Sequence, residues 1–143
     1  MIEGYIISSN IEDMDLVVIH EYISRSYWAK GIPFETLKRS VENSLCFGVF
    51  LSSGEQVGFA RVITDKATFA YLADVFILEE HRGKGLSKWL MVEILEDSNL
   101  QRLRRIVLAT RDAHGLYRKF GFTPLTSPDT FMNIHTPNIY LKP

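Results

Sequence analysis

The run Arg82-Gly83-Lys84-Gly85-Leu86-Ser87 combines two glycines, two cations and a small hydroxyl, just before apolar residues at helical spacing. Such a run is suited to holding an oxyanion. The first N–H groups of a helix have no internal partners, and the helix dipole adds partial positive charge there. Gly83 and Gly85 let oxygen atoms approach the backbone, and Lys88 supplies a further cation. A plain helix-start turn can have the same composition, so spacing has to discriminate between ligands. A dinucleotide fingerprint requires glycine where Lys88 stands, and a nucleoside-triphosphate loop requires Gly-Lys-Ser/Thr after four intervening residues. Neither is present. Residues 80–120 carry nine bases against five acids in a chain of formal charge −1. A local positive field of that kind favours a ligand with several phosphates, although a solvated helix face has the same charge pattern.

The loop needs a strand before it and a helix behind it, and the pattern of the chain predicts both. Strands are expected at Tyr5-Ile6-Ile7, Leu45 to Leu51, Gln56 to Ile63 and Thr68 to Leu78, with a hairpin turn at Ser52-Ser53-Gly54. Apolar spacing predicts a helix from about Asp13 to Tyr27 and a second one after Pro33 through Leu37 and Val41. A helix from Gly85 to about Asp97 presents Leu86, Trp89, Leu90 and Ile94 as its apolar stripe. Arg105 to Thr110 reads as a buried strand, Asp112 to Lys119 as a short helix ended by Gly121. The tail, Thr130 to Leu141, is expected to close the sheet. The order is that of a mixed α/β fold on one sheet.

Length and composition narrow the class. A chain of 143 residues, 46% apolar and 23% charged, suits one soluble domain over residues 1–143. No apolar run spans a bilayer and the N-terminus lacks a signal-peptide pattern, so a cytoplasmic protein is expected. The lone Cys46 has no partner for a disulfide, and no metal-ligand spacing occurs. The charge balance argues against nucleic acid as a partner.

Arg82, Gly85 and Ser87 fit a known signature, Arg/Gln-x-x-Gly-x-Gly/Ala/Ser. Farther along, Asp112-Ala113-His114-Gly115-Leu116-Tyr117-Arg118-Lys119-Phe120-Gly121-Phe122 places Ala113, Leu116-Tyr117 and Gly121-Phe122 as in a second. On these two motifs, and on the order of elements over essentially its whole length, the chain resembles the GNAT superfamily of N-acetyltransferases. The resemblance implies a mostly antiparallel sheet splayed around the cofactor site and flanked by helices, with acetyl-CoA as co-substrate and no metal. It implies that the main chain of Val75, Phe76 and Ile77 bonds the pantetheine arm. The loop Arg82, Gly83, Lys84, Gly85, Leu86, Ser87 and Lys88 would hold the pyrophosphate. Many members carry Asn where this chain has Thr110, whose hydroxyl is the remaining candidate for that contact.

Direct transfer to an amine needs a proton for the departing thiolate. The resemblance implies that Tyr117 gives it, since a phenol with reference pKa about 10 stays protonated at neutral pH; an ordinary packed tyrosine is the alternative. Tyr71 stands where relatives often place the group that receives the amine proton. Asp74, a carboxylate inside an apolar strand, is a second candidate base unless backbone or a neighbouring cation satisfies it. Cys46 reads as a small core residue rather than a nucleophile. Tyr27 and Trp28, in the aromatic loop after the first helix, are candidates for acceptor binding or for anchoring that loop. Arg61 could hold an acceptor carboxylate or be a surface cation. The expected function is acetylation of a small amine, amino acid or peptide, with a non-catalytic acetyl-CoA sensor or scaffold of the same fold as alternative. The resemblance is compatible with a homodimer and with other acyl groups.

Overall fold

The computed structural model describes residues 1–141. Five strands form one sheet in chain order: β1 (Tyr5–Ser8), β2 (Leu45–Leu51), β3 (Gln56–Thr64), β4 (Phe69–Ile77) and β5 (Arg105–Leu108). The first four pair antiparallel as a meander and β5 joins β4 in parallel, the connection that requires a crossover helix. Helices α1 (Leu16–Ile23) and α2 (Phe34–Glu42) precede β2, α3 (Leu86–Glu96) makes the crossover, and α4 (His114–Arg118) follows β5.

The sheet is covered on both sides, which explains why β2 is apolar along nearly its whole length. On one side Phe47, Val49, Val62, Ala70 and Leu72 pack against Leu86, Leu90, Met91 and Ile94 of α3. On the other, Cys46, Phe59 and Phe76 pack against Ile19 and Ile23 of α1 and Leu37 and Val41 of α2.

One irregularity in β4 governs the site. In the β3–β4 register, Phe59 faces Phe76 while Arg61 faces Ala73, so Asp74 and Val75 stand opposite the single residue Ala60. This is a β-bulge, and Asp74 adopts φ +55° there, a left-handed conformation that Asp tolerates better than most residues. The extra residue reverses the facing of the strand: Leu72 belongs to the core beneath α3, Phe76 to the core beneath α1 and α2. Pairing of β4 with β5 runs only from Phe69–Arg105 to Leu72–Leu108. From the bulge onward the two parallel strands are no longer paired, and a cleft opens between them.

Three expectations need correction. The first helix ends at Ile23, not near Tyr27, because Ser24 and Ser26 turn the chain. Ser26 Oγ donates to the Ile23 carbonyl (2.6 Å) and accepts the Ala29 N–H (3.1 Å), while the Gly31 N–H reaches the Ser24 carbonyl. Strand β5 ends at Leu108 and is half-buried rather than buried, since it is the edge of the sheet. The tail, Thr130 to Leu141, does not close the sheet: it contains short 3-10 turns at Pro128–Thr130 and Ile139–Leu141 and no strand. Pro137, within this stretch, removes one of the N–H donors that a further strand requires. The end of the tail settles on the α1–α2 loop, where a Cβ on Gly31 would lie 2.9 Å from Leu141 Cδ2.

Candidate active site

The loop before α3 has the geometry of an anion cradle. Gly83 and Gly85 lie at φ +79° and +84°, and Gly85 occupies the helix N-cap without a side chain to cap the helix. No hydrogen bond within the described residues uses the N–H of Gly83, Lys84, Gly85, Leu86, Ser87 or Lys88; the first helical donor to find a carbonyl is Trp89, bonded to Gly85. Consecutive free donors at a helix start are what a pyrophosphate needs. Lys84 and Lys88 are exposed beside them with no acidic partner among the described residues. Arg82 differs from this pair. Its Nε donates to the Ile77 carbonyl (2.8 Å) and its Nη2 to the Tyr22 hydroxyl (3.1 Å). The guanidinium ties the loop to β4 and α1, although the residue remains exposed, and it takes one of the Val75–Ile77 main-chain groups expected to bond the pantetheine arm.

From the loop the cleft continues along the free part of β4. Val75, Phe76, Ile77, Gly83, Gly85, Leu86, Ser87, Ala113, Leu116 and Tyr117 enclose about 260 Å³. Tyr117 is only 8% exposed, its ring edge-on to Phe122. Its hydroxyl makes no hydrogen bond to any described residue, yet no buried side-chain oxygen among them lacks a partner, so that oxygen opens into the cleft. Burial raises the phenol pKa above its usual 10. Thr110 Oγ1 accepts the Ala113 N–H (3.0 Å) at the start of α4, which leaves its own proton free to donate.

A wider chamber of about 1460 Å³ adjoins the first, shares Tyr22, Val75, Arg82, Ala113 and Tyr117 with it, and is lined by Tyr27, Trp28, Arg61, Tyr71, Asp74 and Thr110 of the expected residues. Tyr71 lines it from β4, partly exposed and without a hydrogen-bond partner among the described residues. Asp74, 9% exposed, has both oxygens engaged: Oδ1 accepts Trp28 Nε1–H at 2.7 Å and Oδ2 accepts Arg61 Nε–H at 2.8 Å. Arg61 Nη1 also donates to Ser44 Oγ at 3.2 Å. Arg61 is thus neither a surface cation nor a free fork for an acceptor carboxylate; it neutralises Asp74. Trp28 anchors the loop to the bulge through its N–H, and it also lines the chamber. Tyr27 packs edge-on to Trp28 with centroids 5.0 Å apart. Cys46 lies in the core beneath α1 and α2, and burial pushes its thiol up to about 12, which removes it as a nucleophile at neutral pH.

Sequence reasoning missed three residues of the site. Tyr22 of α1 stacks on Phe76 at 4.1 Å and receives Arg82; its position on the buried stripe between Ile19 and Ile23 was the available signal. Arg111 lies over the Tyr27 ring, 3.6 Å from its centroid, and counted in the sequence only as charge. His135 of the tail reaches the chamber wall, and nothing local marked it. No group of three His, Cys, Asp or Glu side chains among the described residues is placed to hold a metal ion, and no described helix is long and apolar enough to cross a membrane.

Comparison with known proteins points to one family. The model of the acetyltransferase (GNAT) domain matches residues 42–124, which include the cradle, the bulge and Tyr117. A Gibberella zeae protein, provisionally named an acetyltransferase, is 32% identical over 136 residues, covering 80% of this chain and 76% of its own. An uncharacterized N-acetyltransferase of Porphyra purpurea is 29% identical over 126 residues, covering 85% and 71%. The crystal structure of a GNAT-family protein from Xanthomonas campestris superposes with a TM-score of 0.95 at 47% identity, covering 99% of this chain and 100% of that one. Glucosamine-6-phosphate N-acetyltransferase from Arabidopsis thaliana, 15% identical with a TM-score of 0.68 over 94% of this chain and 98% of its own, shares the fold.

Proposed function

The chain belongs to the acetyltransferase (GNAT) domain family, and from that premise we propose that it transfers the acetyl group of acetyl-CoA to the amine of a small molecule, amino acid or peptide. The observation that carries the reading is Tyr117: a buried ring whose hydroxyl has no partner among the described residues, at the junction of two chambers, one beginning at the cradle before α3.

The cradle residues Gly83 to Lys88 hold the pyrophosphate of acetyl-CoA by main-chain N–H groups, with Lys84 and Lys88 adding charge. The free stretch of β4 around Val75 and Phe76 accompanies the pantetheine arm. In the wider chamber the acceptor amine gives up its extra proton to solvent and, as the neutral amine, attacks the thioester carbonyl, forming the C–N bond as the C–S bond breaks. Tyr117 donates its proton to the departing thiolate. The amine proton passes to solvent, with the Tyr71 hydroxyl able to relay it by giving up one proton as it takes another, and Tyr117 recovers its own proton from solvent; Asp74 has both oxygens engaged in hydrogen bonds.

Release of CoA thiol against panels of amino acids, polyamines and peptides tests the reaction. Absence of turnover with every panel, beside tight acetyl-CoA binding, would favour a sensor. Gly85→Val tests the cradle. A valine at φ +84° is strained and lies in the approach to the free N–H groups. Acetyl-CoA affinity should fall about tenfold or more, taking the loss as at least 1.4 kcal/mol. Unchanged affinity in a folded variant removes the assignment.

A further inference from the structure

Four arginines line the wider chamber, and three are committed within the chain. Arg25 pairs with Glu21 at 3.4 Å, Arg61 with Asp74, and Arg82 with the Ile77 carbonyl and Tyr22. Arg111 has no carboxylate, carbonyl or hydroxyl partner among the described residues. Its guanidinium carbon sits 3.6 Å from the Tyr27 ring centroid, a separation reached only when the planar group lies against the ring face. Stacking fixes the plane of the guanidinium and leaves its N–H edges directed outward as a preoriented fork. Tyr27 belongs to the α1–α2 loop and Arg111 to the β5–α4 connection, and both line the chamber, so the stack joins two separate segments of its lining.

The same chamber carries Glu79, Glu80 and Asp112, none of them ion-paired among the described residues. These carboxylates attract a cationic amine and oppose a dianion; Arg111 attracts one oxyanion. We propose that the acceptor is zwitterionic, an amine whose molecule also carries a carboxylate, and that Arg111 holds this carboxylate through its free N–H edge while the amine points toward Tyr117. The inference rests on the acetyl-transfer reading and narrows it to amino-acid-like acceptors.

The test uses matched acceptors: a panel of amino acids, their amides, and aminophosphonates of the same carbon skeleton, assayed by CoA thiol release. For the preferred acceptor, kcat/KM should exceed that of its amide by about tenfold or more, the range of a lost charge-assisted hydrogen bond. Arg111→Gln should raise the KM of the amino acid by a similar factor while leaving the amide's KM and acetyl-CoA affinity unchanged. Arg111→Lys, which keeps the charge and loses the fork, should recover only part. Equal rates for acid and amide, an unchanged KM in Arg111→Gln, or preference for the phosphonate overturns the proposal. Calorimetric titration of the amino acids into the CoA-saturated protein reads the same contact without turnover. Arg111-dependent binding without acetyl transfer would sink the enzyme reading alone, whereas turnover indifferent to Arg111 sinks this one. Arg111 is exposed, so its variants should keep the parent's thermal transition.

Discussion

Tyr117 combines a buried ring with a hydroxyl that has no partner among the described residues, an arrangement useful for a proton donor and wasteful for a packing residue. Tyr117→Phe keeps the ring contacts with Phe122 and removes one oxygen. Steady-state kinetics should show kcat lower by about a hundredfold to ten-thousandfold with acetyl-CoA affinity little changed; a kcat within about threefold would mean that water supplies the proton. Because burial raises this phenol, its neutral form persists above pH 10, and the alkaline limb of kcat should lie higher than for an ordinary tyrosine. Cys46 illustrates the same physics without chemistry. Its thiol is raised from 9.0 to about 12 by burial, so the fold binds that proton more tightly than the unfolded chain does. The resulting stability is complete below pH 9 and is lost as pH climbs toward 12. Urea unfolding of Cys46→Ala should therefore show a pH slope shallower by up to about 1.4 kcal/mol per unit over that window. At this scale the motif made Tyr117 legible in the sequence, and an isolated carboxylate in an apolar strand announced that Asp74 needed a partner. The partner itself was not legible. Arg61 looked like a surface cation because Trp28, which completes the arrangement, is distant in the chain. Arg111 went unnoticed because its contact with Tyr27 exists only when two loops meet.

The elements were read where one face or two faces of an apolar pattern are buried, and misread where the chain is held by something else. Strands β2, β3 and β4 emerged within a residue or so of their observed ends, since continuous apolar runs bounded by turn residues admit few alternatives. The end of α1 is held by the Ser26 hydroxyl and the Ser24 carbonyl, and the tail by its docking on Gly31, neither of which has a periodicity. The bulge in β4 was equally invisible, because an inserted residue alters no composition; it shows only as the change of facing between Leu72 and Phe76. That bulge is stabilised by side chains, and this makes it testable. Asp74→Ala removes the acceptor of both Trp28 and Arg61 and leaves a cation largely buried, its side chain 16% exposed. The expected cost is about 3 kcal/mol in denaturant unfolding. Trp28→Phe, which removes one donor, should cost about 1 kcal/mol. A loss below 1 kcal/mol for Asp74→Ala would show that the backbone holds the bulge unaided.

Across the whole molecule, the two cores flank the sheet and the cleft divides one sheet into unequal arms. One arm is the β1–β4 meander with α1 and α2 behind it; the other is β5 with α4. Sheet order equals chain order, and the β2–β3 and β3–β4 connections are the short turns 52–55 and 65–68, whereas β5 joins β4 only across residues 78–104. Closing short loops costs less chain entropy than closing long ones. The hairpins should therefore assemble first, and β5 with α4 should dock after the rate-limiting step. The topology thus has a kinetic consequence for the ligand. On the proposed reading acetyl-CoA lies in the cleft and contacts both arms, so it would have no complete site in the transition state for folding. In stopped-flow denaturant jumps, saturating acetyl-CoA should slow unfolding by nearly the full factor by which it stabilises the protein and leave the refolding rate unchanged within about twofold. Accelerated refolding would place β5 and α4 in the folding nucleus. If the unfolding limb alone responds, occupancy by acetyl-CoA sets how long each folded molecule lasts and has no effect on how quickly a new one forms.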